Sequence, residues 1–352
     1  MSSSAAVSSS LPSLPCPPER VDDFLSQPTP AVVDVLARRP GPVLVLGAGG
    51  KMGLHMCLML RKALDRAGSK DPVTAVSRFS SLQDRSSFEQ YGVATLPCDL
   101  TDAASLERLP EAPTVFFMAG VKFGTSSSPT LLKAINSDMP RSVAARFRRS
   151  RIVAYSTGCV YPFVPVTSGG ATEDTPPAPV GDYAVSCLAR EQAFAEAAQK
   201  FGTAVALIRL NYSVEFRYGV LVDIAQKVLS GQPVDVTMGH VNVIWQPDAI
   251  AHSILALELA GSPAVPVNVT GIETLAVRDL AQRFAKVFDR PVQIVGREEP
   301  TAWLNNAART HQRFGAPSTS VDTMIRYIAA WLTNGGTTWG KPTGFEKRDG
   351  KF

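Results

Sequence analysis

The segment Pro42–Gly53, PVLVLGAGGKMG, decides the fold. Val43–Leu46 is an unbroken apolar run, as expected of a strand buried on both faces of a parallel sheet. It runs into a cluster of glycines, Gly47, Gly50 and Gly53, at the start of a helix-period stretch, GLHMCLMLRKALDRAG. A phosphate needs backbone N–H donors and close approach without a Cβ, and a helix N-terminus adds a favourable dipole. Alone, the glycine spacing also fits a tight strand–helix turn. The preceding strand, the following helix and a second strand, PVTAVSRF, at the right distance favour a dinucleotide, with Lys51 and Met52 inside the loop.

Working outward, VATLPCDL, TVFFMAG, SRIVAYSTG and AVALIRLN read as further strands. Between them lie helical stretches, including SSPTLLKAINSDMPRSVAARFRR and DYAVSCLAREQAFAEAAQKFG. This alternation predicts an α/β fold, a Rossmann-type doubly wound parallel sheet with right-handed crossovers. After Asn211 the units shorten, predicting a smaller C-terminal α/β substrate lobe. The expected division is an N-terminal extension over 1–40, partly disordered, a dinucleotide-binding domain over 41–211, a lobe over 212–335 and a polar surface tail over 336–352.

The 352 residues carry 35 Lys and Arg against 31 Asp and Glu, a net charge of +4, too small to argue for nucleic acid. The five cysteines, 16, 57, 98, 159 and 187, are scattered and never form a CxxC pair, which argues against a disulfide framework and a zinc site. The four histidines have no metal-ligand spacing, so no metal is expected. No apolar run is long enough to span a bilayer, and residues 1–19 lack both basic residues and a sustained apolar core. The expectation is a cytoplasmic enzyme acting on a small molecule, without membrane or nucleic-acid partners.

At the end of the second strand, an NAD-preferring site places a carboxylate for the adenosine 2′-hydroxyl. Ser77 and Arg78 stand there instead, so NADP is expected over NAD, Arg78 offering a guanidinium to a 2′-phosphate. Asp99 and Leu100, in CDL, fall where an adenine amino group needs an acceptor, and Asp99 also suits a helix cap before TDAASL.

The ordered set GAGGKMG, CDL, FMAGVKFG, AINSDMP, STGCVYP and DYAVSCLARE, continued by IRLNYS, WQPDAIAHSILAL and VNVTGIETLAVRDLA, resembles the extended short-chain dehydrogenase/reductases of the NAD-dependent epimerase/dehydratase type. The resemblance implies a Ser/Thr–Tyr–Lys site. Thr157 matches the residue that hydrogen-bonds the reacting oxygen, and Tyr183 the tyrosine that transfers the proton. Ala119 and Gly120 match residues bordering the cofactor, and Asn136 a helix asparagine that fixes the site's geometry and adjoins the substrate. The family's lysine, four residues after the tyrosine, is replaced by Cys187. A neutral thiol neither holds a ribose diol comparably nor lowers the tyrosine's pKa. Three readings follow: Lys122 supplies the cation on the cofactor and substrate side, Cys187 is itself an acid, base or redox thiol, or the site only binds a dinucleotide.

The dehydratases carry an Asp–Glu pair where this chain has Gly158 and Cys159, so elimination of water is not expected. Val241 stands where nucleotide-sugar members place an arginine for the diphosphate. Asn211, Arg217, His240, Asn242, Trp245 and Gln246 are candidates for a smaller polar pocket, Trp245 as a stacking face and Arg217 as a carboxylate partner. These readings converge on an NAD(P)-dependent oxidoreductase or epimerase interconverting a secondary alcohol and a ketone on a small sugar, sugar acid or polyol. The alternative is a non-catalytic NADP sensor of the same fold. The resemblance also implies a homodimer through the helices holding Asn136 and Tyr183.

Overall fold

The structure, a computed structural model, describes residues 13–80, 84–121 and 129–350. Seven parallel strands form the central sheet: β1 Val43–Leu46, β2 Val73–Ser77, β3 Ala94–Pro97, β4 Thr114–Phe117, β5 Arg151–Tyr155, β6 Val205–Leu210 and β7 Val265–Val269. Their order across the sheet is β7-β6-β5-β4-β1-β2-β3, with Val43 level with both Val73 and Thr114. The order reverses between β1 and β4, where an open α/β sheet leaves a crevice beyond its strand ends.

Alternating side chains feed two cores. Val43, Val45, Ala75, Phe116 and Ile208 face one side, against α1 (Pro30–Ala37), α2 (Gly53–Arg66) and a later helix, Gln246–Leu255. Leu44, Leu46, Val115, Phe117 and Leu207 face the other, against α3 (Met139–Arg146) and α4 (Asp182–Phe201). Three further helices, α5 (Val220–Leu229), α7 (Val277–Phe288) and α8 (Val321–Thr333), enclose the lobe's own core around Phe216, Trp245, Phe284 and Ile328. The helix at Gln246–Leu255 is α6.

Four expectations are corrected. The boundary at 211 does not divide the sheet, because β7 and α6 come from beyond it, within the range expected to form the lobe. The N-terminal stretch from residue 13 belongs to the body. Thr29 caps α1 through Val32 N–H, Val32 and Leu36 enter the sheet core, and Val21 and Leu25 enter the lobe core. Residues 336–350 are not a surface tail: Phe345 is buried in the lobe, and Thr343 donates its hydroxyl to Asp223 at 2.6 Å. The long helix before β5 is interrupted at Ala134–Asp138 by a π-turn, a distortion that re-aims side chains and concentrates at functional sites. The Ser-rich start, residues 1–12, lies outside the described residues.

Candidate active site

The glycines of the β1–α2 loop divide the labour. Gly47 has φ +85°, and a Cβ there would run into the Ala119 backbone at the end of β4. At Gly53 a Cβ would overlap the Ala48 carbonyl, so this glycine lets α2 seat against the loop. Gly50 is open, with only the Gly47 carbonyl oxygen 3.6 Å from a Cβ position. Two glycines thus fix the turn, and the middle one faces a cleft of about 200 Å³. Ser77, Arg78, Asp99, Leu100, Ala119 and Gly120 line the same cleft. A bare backbone edge at a helix start, over a polar-rimmed cleft, fits a dinucleotide's pyrophosphate.

Asp99 is held low by hydrogen bonds from the Thr101 hydroxyl and backbone N–H, at 2.6 and 3.0 Å, with a smaller contribution from Arg78. It is therefore an ionised acceptor in the cleft. The helix cap expected of Asp99 is instead Asp102, which accepts from Ser105 N–H at 3.0 Å. Arg78 stands exposed at the rim.

A second cavity of about 190 Å³ gathers Lys51, Met52, Thr157, Tyr183 and Asn211 from the expected set. The Thr157 hydroxyl accepts from Cys159 N–H at 3.2 Å, capping the turn Gly158–Val160. A Cβ at Gly158 would meet the Asn305 side chain, so the space of a carboxylate at 158 is filled. Tyr183 sits in the first turn of α4, half-buried. Burial pushes its phenol well above the usual range, the Cys187 thiol adds to that, and Arg190 opposes it. Cys187 is fully buried among Val160, Tyr161 and Ala171, with Tyr183 packed alongside. Lys122 lies outside the described residues.

Several expected substrate contacts are engaged elsewhere. The Asn136 amide accepts from Val121 N–H at 3.2 Å and Arg190 Nη2 at 2.5 Å. It donates to the Val121 carbonyl at 3.1 Å and the Ser186 hydroxyl at 2.9 Å, so it is buried behind the site and does not line the cavity. Arg217 does bind carboxylates, but the protein's own: Asp22 at 3.0 Å and Glu215 at 3.2 Å. Burial alone would raise the Asp22 carboxyl, but His55 and Arg217 outweigh it and bring it to about 2. Trp245 is core, its ring 5.1 Å from Phe216. Asn242 is buried and bonded to the Glu273 carbonyl and Asn305 N–H. His240 pairs in a short strand with Ala276.

Other residues shaping the cavity escape sequence reasoning. Tyr212, Ser213, Tyr218 and Thr343 line it, beside Gln246, which was among the expected pocket residues. The Lys51 ammonium lies 3.6 Å from the centre of the Tyr218 ring. The buried Tyr212 and Ser213 hydroxyls have no hydrogen-bond partner among the described residues. Behind Thr157, Ser156 donates to Glu191 at 2.6 Å, and Glu191 is forked by buried Arg209 at 2.7 to 3.2 Å. Arg209 also reaches the Tyr161 hydroxyl at 2.8 Å, which locks the end of β5 to α4 and β6. The helical spacing Tyr183–Cys187–Arg190 was the readable signal for Arg190, and the notable charge in IRLNYS the one for Arg209.

The geometry agrees with the comparisons. No curated protein matches the chain. A UDP-glucose 4-epimerase from Thermus thermophilus, complexed with NAD, is similar at 21% identity and TM-score 0.67 over 82% of this chain and 97% of that one. A Thermotoga maritima UDP-glucose 4-epimerase, with UDP-glucose, is similar at 16% identity and TM-score 0.70 over 84% and 99%. A dTDP-glucose 4,6-dehydratase from Streptomyces venezuelae, with NAD bound, is similar at 16% identity and TM-score 0.70 over 83% and 97%. These likenesses show a shared fold. The model of the NAD dependent epimerase/dehydratase family matches residues 43–242, more than half of the chain, and with the glycine loop, Thr157 and Tyr183 in place the chain belongs to that family.

Proposed function

We propose that this protein interconverts a secondary alcohol and a ketone on a small sugar, sugar acid or polyol, either as net redox or as an epimerisation through a keto intermediate. The observation that carries the reading is the meeting of Thr157 and Tyr183 in one cavity with Lys51 of the glycine loop. A bound nicotinamide dinucleotide would supply the hydride acceptor and donor. The glycine loop, Asp99 and Ala119 would hold it. Thr157 orients the reacting oxygen. Tyr183 takes the hydroxyl proton as the carbon-bound hydrogen departs as hydride, and returns it in the reverse direction.

Two features support a substrate smaller than a nucleotide sugar. The cavity, about 190 Å³, falls below the roughly 300–1,000 Å³ usual for drug-sized ligands. Val241 also leaves no guanidinium at the position that meets a diphosphate in nucleotide-sugar members. NADP is the proposed cofactor, because Arg78 stands at the cleft rim and no carboxylate ends β2. Arg78→Ala should weaken NADPH about tenfold while NADH changes less than about twofold. Equal losses for both would remove that preference. A homodimer through the helices holding Asn136 and Tyr183 is part of the same reading, and Val185 on α4 is an exposed apolar residue that such a contact would cover.

The test starts with the purified protein: denature it, identify any released dinucleotide by mass spectrometry, then titrate the stripped protein with NADH and NADPH. A tightly held oxidised dinucleotide supports an internal redox cycle and an epimerase. An empty site that binds either nucleotide reversibly supports an external oxidoreductase, to be screened with free hexoses, hexuronic acids and pentitols. Failure to bind either nucleotide refutes the proposal. A sensor that binds NADP without turnover is the second reading, favoured by Cys187 and by the high phenol of Tyr183.

A further inference from the structure

The site has a tyrosine in need of a positive charge and a thiol where the family keeps one. We propose, building on the reading above, that Arg190 supplies this charge from one turn further along α4. Tyr183, Cys187 and Arg190 recur at i, i+4 and i+7, so all three lie on one face of the helix. Arg190 is buried, and its guanidinium packs against Gly120 at the edge of the cleft. Nη1 donates to the Tyr155 carbonyl at 3.0 Å, and Nη2 donates to Asn136 Oδ1 at 2.5 Å. A Cβ on Gly120 would collide with the guanidinium, so that glycine makes room for it. Gly120 and Val121 line the cleft, and Asn136 clasps both backbone polar groups of Val121.

Two observations say that this charge is not merely structural. Buried Nε has no hydrogen-bond partner among the described residues. Among the described residues its acceptors, a carbonyl and an amide, are neutral, and the neighbouring carboxylate, Glu191, is forked by Arg209. A buried cation without a carboxylate is costly unless a negative charge develops nearby. Such a charge arises on the Tyr183 oxygen when it is set to accept the substrate's proton, and Arg190 does lower the phenol's pKa against burial and the thiol. The proton stays between substrate and Tyr183. Arg190 neither gains nor loses one, and it acts on the reaction through Tyr183 and through Asn136. An arginine in this role is a fixed charge where a lysine would be a titrating one.

The experiment compares wild type, R190Q, R190K and the double variant C187K/R190Q, each loaded with oxidised dinucleotide. The readout is the reduction of bound dinucleotide at 340 nm by the same panel of hexoses, hexuronic acids and pentitols, between pH 6 and 10.5. NADH affinity and melting temperature are measured alongside. R190Q should bind NADH within about threefold of wild type, yet reduce its dinucleotide on the order of 10- to 1,000-fold more slowly at pH 7, with its rate rising at higher pH. R190K should work near the wild-type rate at pH 7 and fall away above about pH 9, as a buried ammonium loses its proton. The double variant should recover at least about tenfold over R190Q, because the charge returns at the family's position.

R190Q turning over at the wild-type rate with the wild-type pH profile would overturn the proposal. Should R190Q not fold, R190K decides: a profile that follows wild type up to pH 10.5 excludes a role for charge at this position. If wild type itself binds dinucleotide but oxidises nothing in the panel, the functional reading falls and this proposal with it. That result is distinct from an active wild type with an indifferent Arg190.

Discussion

The glycine-edged cleft and the cavity beside it are made differently. Main chain makes the glycine edge of the cleft: Gly47 against Ala119, Gly53 against Ala48, and Gly50 left bare. Side chains make the cavity, from segments as far apart as Lys51, Thr157, Tyr183, Tyr212, Gln246 and Thr343. A backbone-built site has to be written locally, in glycines at fixed offsets from a strand end. A side-chain site needs only that distant positions arrive together, and leaves little local trace.

That contrast can be tested by breaking each region separately. The largest expected effect is on chemistry: Tyr183→Phe should reduce turnover by roughly 10²–10⁴-fold while NADH affinity stays within a few-fold. Lost binding with intact turnover would refute the assignment. Next, Phe345→Ala should destabilise the lobe by about 3–5 kcal/mol in denaturant melts, because the ring is fully buried there. An unchanged midpoint would restore the surface tail. Gly50→Val should weaken dinucleotide binding about 100-fold, or roughly 3 kcal/mol, and leave the melting temperature within a few degrees, since its side chain enters the cleft and meets no core. If the protein unfolds instead, Gly50 is a packing glycine like its neighbours.

The smallest effect concerns acid. The Asp22 carboxyl is lowered to about 2 in the folded protein, against about 3.9 in an unfolded chain. It therefore contributes stability that is complete above about pH 4 and lost as the pH falls towards 2. The contribution is at most about 3 kcal/mol, and less once solvent screens this part-exposed carboxylate, and Asp22→Asn should flatten that part of the acid limb. An identical acid limb in the variant would show that Asp22 is unpaired in solution.

Strands β1, β4, β5 and β6 were legible because parallel strands buried on both faces are continuous apolar runs, whereas β3, at the sheet edge, is exposed or half-buried throughout. The seventh, β7, is as apolar at Val267 and Val269 but reads PVNVTG, and nothing local says which sheet it joins. Thr157 and Tyr183 were placed by resemblance, and the cavity unites them. Trp245 and Arg217 looked like ligand contacts because residue type alone cannot tell a stacking face from an aromatic core, or a free guanidinium from one already paired. Arg190 was hidden by its neighbour: the eye stops at the missing lysine, while the charge stands three residues on. Thr343 and Phe345 were missed because a polar stretch interspersed with glycines carries no period.

The return of the chain to the sheet at β7 has a consequence for how the protein can be cut. Residues 41–211 contain every glycine and both family residues of the site, and look like a portable module. Severed there, the piece would present the whole length of β6 as a naked edge, since Val265–Val269 is its pairing partner. It would also lose α6 from one face of its core. Long unpaired apolar edges recruit other chains, so the fragment that carries the readable half of the protein is one built to aggregate.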